Sequence, residues 1–207
     1  MDDQSDQGLH AAILAAGPST RFGSPKQLVR LAGEPVLHQV VAHAARVVGQ
    51  SVTVVIGAHA RQVAQALRQR AASIALNRDW EEGIASSIRV AVRSAPPASS
   101  ALLLLLADQV AVTAEDLKRL HAAWRRHPVL IAAALYGGAP GLPAIFPRWA
   151  FTDLLDLRGD QDPRLVLRRN VDRLVRIPMP NAGIDLDTPE DLLLLEPPTR
   201  ANDADLP

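Results

Sequence analysis

Apolar residues along this chain fall into two kinds of run. The short uninterrupted ones are "AAILAA" at 11–16, "SVTVVIG" at 51–57, "ALLLLLA" at 101–107 and "VLIAAAL" at 129–135. Their length and lack of alternation predict strands buried on both faces of a sheet. The run at 51–57 is also rich in β-branched residues. Between them lie longer segments with apolar residues at helical spacing: 36–48, 59–70, 83–93 and 113–126. Pro35 suits the first turn of the first of these helices. Thr113, followed by Glu115 and Asp116, reads as the cap of the last, with acids in its first turn. Strand–helix alternation of this kind predicts a layered α/β fold. Residues 137–147, "GGAPGLPAIFP", break the pattern with Gly and Pro and read as an excursion or lid.

Composition narrows the picture. The chain has 207 residues, of which 48% are hydrophobic, enough for a substantial core. No repeat or low-complexity linker divides it, so a single domain over 10–196 is expected, between flexible tails at 1–9 and 197–207. Basic and acidic residues balance at 22 each, which gives no global attraction to nucleic acid or to an anionic membrane. Cysteine is absent, so disulfides and thiolate metal sites are excluded. The start, "MDDQSDQG", is unlike a signal peptide, and the most apolar run is too short to span a bilayer. These features predict a soluble, cytoplasmic protein.

In an open α/β sheet, ligands sit beyond the carboxyl ends of the strands, and the chemistry of this chain concentrates at such exits. After the first strand, the loop from Gly17 to Lys26 combines glycines and prolines with Arg21 and Lys26. Its backbone N–H groups can converge on an anion, with arginine as a fork and lysine as a point charge; equally, the two cations can be ordinary surface residues of a turn. Neither a Walker A loop nor a Gly-x-Gly-x-x-Gly fingerprint is present. After the third strand, Asp108 can hold Mg²⁺ through its carboxylate or simply cap a turn. In "GIDLDTPEDL" at 183–192, Asp185 and Asp187 alternate along an extended stretch, so only one of them faces a pocket, and Asp187 is also suited to cap a helix. In "NRDWEEGIASSI" at 77–88, Gly83 admits close approach of a flat ligand, and Asn77, Ser86 and Ser87 offer hydrogen bonds to a base or ribose. Gly159, Asp160 and Arg164 can line a second cleft or form an ordinary helix start. The six histidines show no metal or catalytic spacing, and Trp80, Trp124 and Trp149 read as packing residues.

Taken in order, "LAAGPSTRFGSPKQL", "NRDWEEGIASSI", "LLLLADQ", "GLPAIF", "LRGDQDPR" and "DLDTPEDL" resemble the GT-A-type nucleotidyltransferases. The "LAAG" and "PKQL" pieces are most similar to the molybdenum cofactor cytidylyltransferase branch of the MobA-like NTP transferases. The resemblance implies a Rossmann-like, three-layer α/β/α fold with a mostly parallel sheet, of the nucleotide-diphospho-sugar transferase type. It implies nucleotide binding by Leu14, Ala15, Ala16, Gly17, Arg21, Lys26, Asn77, Gly83 and Ser87, and catalysis by Arg21, Lys26 and Asp108. Asp108 and Asp187 would hold Mg²⁺. Gln109, Gly141, Pro143, Asp160 and Arg164 would lie on the acceptor side. The implied reaction transfers CMP from CTP, or a nucleotidyl group from GTP, to the phosphate of a molybdopterin-type acceptor, with a molybdoenzyme or its chaperone receiving the product. Three positions depart from the family pattern, all on the acceptor side: Val110 stands for proline, Asp162 for glycine, and Leu142 for a polar residue. They keep open a transferase with another phosphate, sugar or polyol acceptor, and a non-catalytic nucleotide-binding module.

Overall fold

The computed structural model describes residues 8–20, 22–186 and 190–192. The chain opens with β1 (Leu9–Ala15), two residues ahead of the expected strand. A small antiparallel ribbon follows, β2 (Arg30–Leu31) with β3 (Glu34–Pro35). Then come α1 (Val36–Val48), β4 (Val52–Ile56), α2 (Ala60–Ala66), β5 (Ser73–Leu76), α3 (Ile84–Ser94), β6 (Ala101–Leu106) and α4 (Ala114–Arg126). The second half adds β7 (Ile131–Tyr136), β8 (Ala139–Pro147), α5 (Phe151–Leu155), α6 (Arg164–Arg169) and β9 (Leu174–Pro178). Seven strands form one sheet in the order β5-β4-β1-β6-β8-β7-β9. All run the same way except β8, which is antiparallel to both β6 and β7. This is the expected Rossmann-like, mostly parallel α/β fold.

The uninterrupted apolar runs are explained by two cores. Along β6, Ala101, Leu103 and Leu105 face the layer of α1 and α4, while Leu102 and Leu104 face that of α3 and α5. Strand periodicity sends successive side chains to opposite faces, so a strand covered on both sides must be apolar throughout. β1 divides the same way, Ala11 and Ile13 against Ala12 and Leu14. His10, also on β1, is buried, with its ring nitrogens 2.8 Å from Ser51 Oγ and 3.0 Å from Thr53 Oγ1. Burial holds its pKa below the ordinary value.

Expectation and structure part at several places. The segment 137–147 is not a lid. Gly137 and Gly138, at φ +56° and +77°, make a two-residue hairpin turn between Tyr136 and Ala139, and the rest is the central strand β8. Pro143 is tolerated because the pairing with β7 slips between Ala133 and Ala134, which places Leu142 and Pro143 in a bulge. The helix expected over 59–70 is α2 followed by a 3-10 turn, Leu67–Gln69. The strand β5 is absent from the apolar pattern because it is a short edge strand with Ile74 and Leu76 exposed. The expected tails lie outside the described residues, apart from Gly8 and Leu9 at the first. No helix among the described residues is long and apolar enough to cross a membrane.

Candidate functional site

A cleft of about 390 Å³ opens at the carboxyl ends of β1 and β6. One wall is the loop after β1. Its centre is Ser19, which sits in the left-handed region at φ +54°. The Ser19 carbonyl accepts from the N–H groups of Phe22 and Gly23, and its Oγ accepts from Lys26 N at 3.2 Å and donates to Gln27 Oε1 at 3.1 Å. Gln27 is buried and donates through Nε2 to the carbonyl of Ala15, at the end of β1. The loop is thus fastened back to the strand it leaves. A Cβ at Gly17 would meet no protein atom within 4 Å, so the space beside it belongs to the cleft.

The floor carries the charge. Lys26 Nζ lies 2.5 Å from Asp108 Oδ2, just past β6. The other carboxylate oxygen, Asp108 Oδ1, is buried with no hydrogen-bond partner. A buried bare carboxylate oxygen is costly unless something else binds it, and it suits a hard cation that takes oxygen ligands. Among the described residues no group of three or more His, Asp or Glu side chains is assembled to hold a metal. The bare Oδ1 of Asp108 thus fits as one ligand for a divalent cation.

The opposite wall comes from the turn after β5 and the start of α3. Asn77, fully buried, donates from Nδ2 to Ser86 Oγ at 2.8 Å and Ser87 Oγ at 3.0 Å. Ser87 lines the cleft, while Asn77 stands behind it and sets its hydroxyl. Gly83 has φ +116°, and a Cβ there would come within 2.4 Å of Asp160 Oδ1 and 2.5 Å of the Gly159 carbonyl. The loop bearing Asp160 is docked on this wall. Ala85 N donates to the Gly159 carbonyl, Gly159 N donates to Glu82, and Arg89 donates to Glu82 and to the Leu157 carbonyl. The Arg89 guanidinium, then the Gly159 N–H, hold the Glu82 carboxyl below its usual pKa.

The structure thus brings Leu14, Ala15, Ala16, Gly17, Lys26, Gly83, Ser87, Asp108 and Asp160 into one cleft. Arg21 and Asp187 lie outside the described residues. Of the remaining acceptor-side candidates, Gly141 and Arg164 lie against Tyr136, while Gln109 and Pro143 are placed by their own contacts. Gln109 is buried and donates to the carbonyls of Leu142 and Ala182, at 2.7 and 2.9 Å. Gly141 leaves room for the Tyr136 hydroxyl, which a Cβ would approach to 2.4 Å. Pro143 follows the cis bond from Leu142. Arg164 lies 5.7 Å over the Tyr136 ring and donates to its hydroxyl at 3.2 Å, a contact that raises the arginine pKa further. Asp160, expected with this group, faces the first cleft instead.

The three departures from the family pattern have local roles. Val110 joins an apolar cluster with Leu31, Val36 and Leu186, and Leu142 is buried in the core beside α3 and α5. Asp162 accepts from Arg164 N, at the first residue of α6, at 2.8 Å. Trp80 has a second role that the sequence does not predict. It packs against the core cluster, as expected, and also lines the cleft; Gly57 makes room for it there, since a Cβ at Gly57 would fall 2.8 Å from Trp80 Cβ. Gln27 was visible only as part of the "PKQL" signature; its partner is a backbone carbonyl, which no side-chain pattern reveals.

Residues 11–174 match the model of the MobA-like NTP transferase domain. The chain belongs to this family of nucleotidyltransferases. It is 32% identical over 126 residues to the bifunctional protein GlmU of Xanthomonas campestris pv. campestris strain B100, a match covering 60% of this chain and 28% of that protein. The chain thus spans just over a quarter of that relative's length. Among solved structures, Rv0371c from Mycobacterium tuberculosis H37Rv superposes with a TM-score of 0.79 at 25% identity, covering 91% of this chain and 97% of that one. A crystal structure of Rv0371c in complex with manganese has also been determined (TM-score 0.74, 23% identity, 91% and 97% coverage). Molybdopterin-guanine dinucleotide biosynthesis protein A from Archaeoglobus fulgidus shares the fold, with a TM-score of 0.70 at 18% identity, covering 90% of this chain and 96% of that one.

Proposed function

We propose that this MobA-like chain transfers CMP from CTP to the phosphate of molybdopterin, releasing pyrophosphate. The observation that carries this reading is the single cleft that unites the fastened loop after β1, the Lys26–Asp108 pair, and the Gly83–Ser87 wall. The loop and Lys26 suit a polyphosphate, and the wall with Trp80 suits a base and ribose. The "LAAG" and "PKQL" resemblance supports CTP as donor and molybdopterin as acceptor.

In the reaction, a phosphate oxygen of the acceptor forms a bond to the α-phosphorus of CTP, and the bond from that phosphorus to the bridging oxygen of the β-phosphate breaks. A phosphate monoester has a second pKa of about 6 and arrives already ionised at neutral pH. The protein therefore needs no general base. The residues' task is to hold two anions together and to stabilise the charge that develops. Backbone N–H groups near Gly17 face the triphosphate, Lys26 reaches the α-phosphate, and Arg21 steadies the departing pyrophosphate. Asp108 and Asp187 would hold Mg²⁺, which when bound neutralises phosphate charge. Ser87, set by Asn77, meets the ribose or base. A molybdoenzyme or its chaperone would take the product.

Thermal stability with each NTP, with and without Mg²⁺, tests the donor. A ligand at about 100 times its dissociation constant stabilises by about 2.7 kcal/mol, a readily measured shift. The expected result is a Mg²⁺-dependent shift with CTP, followed by pyrophosphate release when molybdenum cofactor is added. A larger shift with GTP replaces CTP by GTP as donor; no shift with any nucleotide overturns the reading.

A further inference from the structure

Lys26 and Asp108 carry opposite charges that the proposed reaction uses separately, one on the phosphates and one on the metal. In this structure they neutralise each other. Lys26 stands on the 3-10 turn Lys26–Leu28, whose position is fixed by Ser19 and by the bond from Gln27 to Ala15. Asp108 stands at the rigid exit of β6. Their side chains are 21% and 18% exposed, so water screens the 2.5 Å contact only in part. The ammonium covers Oδ2, and Oδ1 alone is left bare. A divalent cation on this carboxylate would sit within a few ångströms of a lysine ammonium, and like charges so close oppose one another.

We propose that the Lys26–Asp108 ion pair is a latch that makes metal binding depend on nucleotide binding. Without nucleotide, Lys26 holds Asp108 neutralised and the metal binds weakly. A triphosphate offers Lys26 a more highly charged partner, Lys26 swings to it, and Asp108 is released to the metal. By linkage, metal tightens nucleotide by the same factor that nucleotide tightens metal. The proposal rests on the nucleotide reading of the cleft and adds an order of events to it: the metal enters with the nucleotide, not before it.

The test is Mn²⁺ binding by the full chain in the absence of nucleotide, read by loss of the free-ion electron paramagnetic resonance signal. Lys26→Met should bind Mn²⁺ about tenfold more tightly than the wild type, within the usual range of coupling between sites. Adding Asp108→Asn to Lys26→Met should abolish the gain. Lys26→Gln serves as a second variant should the methionine protein not fold, and circular dichroism checks each. If neither Lys26 variant binds Mn²⁺ more tightly than the wild type, the latch is overturned, while an NTP-dependent thermal shift in the wild type would leave the nucleotide reading standing. A gain in Mn²⁺ affinity in a protein that no NTP stabilises would overturn the nucleotide reading and the coupling together.

Discussion

Two glycines of the cleft show how differently one residue type can serve a site. Gly83 is required by the protein itself: its φ of +116° and the Gly159 carbonyl 2.5 Å from any added Cβ leave no space for a side chain. Gly83→Ala should cost about 3 kcal/mol or more in chemical denaturation, since strain and a backbone clash add. Gly17 serves the proposed ligand instead. It has open space beside it, so Gly17→Ala should change stability by less than about 0.5 kcal/mol. The added methyl would stand where the triphosphate is proposed to lie, so the CTP-dependent thermal shift should shrink or vanish. Retention of the full shift would move the phosphates elsewhere. Lys26→Ala should lower turnover by about 10²-fold, the scale of losing one group that stabilises transition-state charge, measured as pyrophosphate release at saturating CTP. Lys26, Gly83 and Asp108 were legible in the sequence because their chemistry is unusual for their positions. The place of Trp80 on the cleft wall was not, because its close approach depends on the missing side chain of Gly57, which is distant in sequence and adjacent in space.

Among the elements, the buried ones were readable and the ones shaped by a single turn were not. The four apolar runs became β1, β4, β6 and β7 because burial on both faces leaves no other composition. The strand β8 is hidden in the sequence because its glycines and prolines signal a loop, and only the pairing with β6 and β7 shows a turn at Gly137–Gly138 and a bulge at Leu142–Pro143. The cap of α4 was legible and proves to do more than start a helix. Thr113 and Asp116 form a reciprocal capping box, and Asp116 Oδ2 also accepts from Asn181 Nδ2 at 2.7 Å. Asn181 donates in turn to the Ala111 carbonyl, so this carboxylate ties the segment at 180–183 to the exit of β6. Burial pushes the Asp116 carboxyl up, but the hydrogen bonds from Thr113, Asn181 and Arg119 outweigh it and hold the pKa at about 2. A depressed carboxylate stabilises the fold fully above the unfolded pKa of about 4, and that stability is lost as pH falls toward 2. Asp116→Asn should therefore cost about 2 kcal/mol at pH 7, and the gap to wild type should close between about pH 4 and pH 2 in denaturant titrations. His10 acts in the range above. Its depressed pKa gives stability that is complete above about pH 6.5 and is lost as pH falls through the lower folded value.

At the scale of the whole molecule, the sheet sets the cleft at one of its edges. Parallel strands send every exit to one side, and β8 alone returns the chain to the other. The cleft occupies the carboxyl edge of β1 and β6, with Trp80 on its wall. The other two tryptophans lie away from it. Trp124 is buried in the last turn of α4, which runs back from the carboxyl edge. Trp149 follows the end of β8, where Pro147 pairs with Ala101 at the start of β6, and its ring is covered by Arg173 at 5.1 Å. One indole of three thus reports on the cleft, and the arrangement gives a direct optical test of where the nucleotide sits. Saturating CTP with Mg²⁺ should change the tryptophan fluorescence of the wild type, by stacking on or excluding water from Trp80. Trp80→Phe, which keeps an aromatic face in the wall, should retain the CTP-dependent thermal shift and lose the fluorescence change. Trp149→Phe should retain both. If the change instead followed Trp149, the nucleotide would bind at the amino edge of the sheet, and the assignment of Lys26, Asp108 and Ser87 to it would fall.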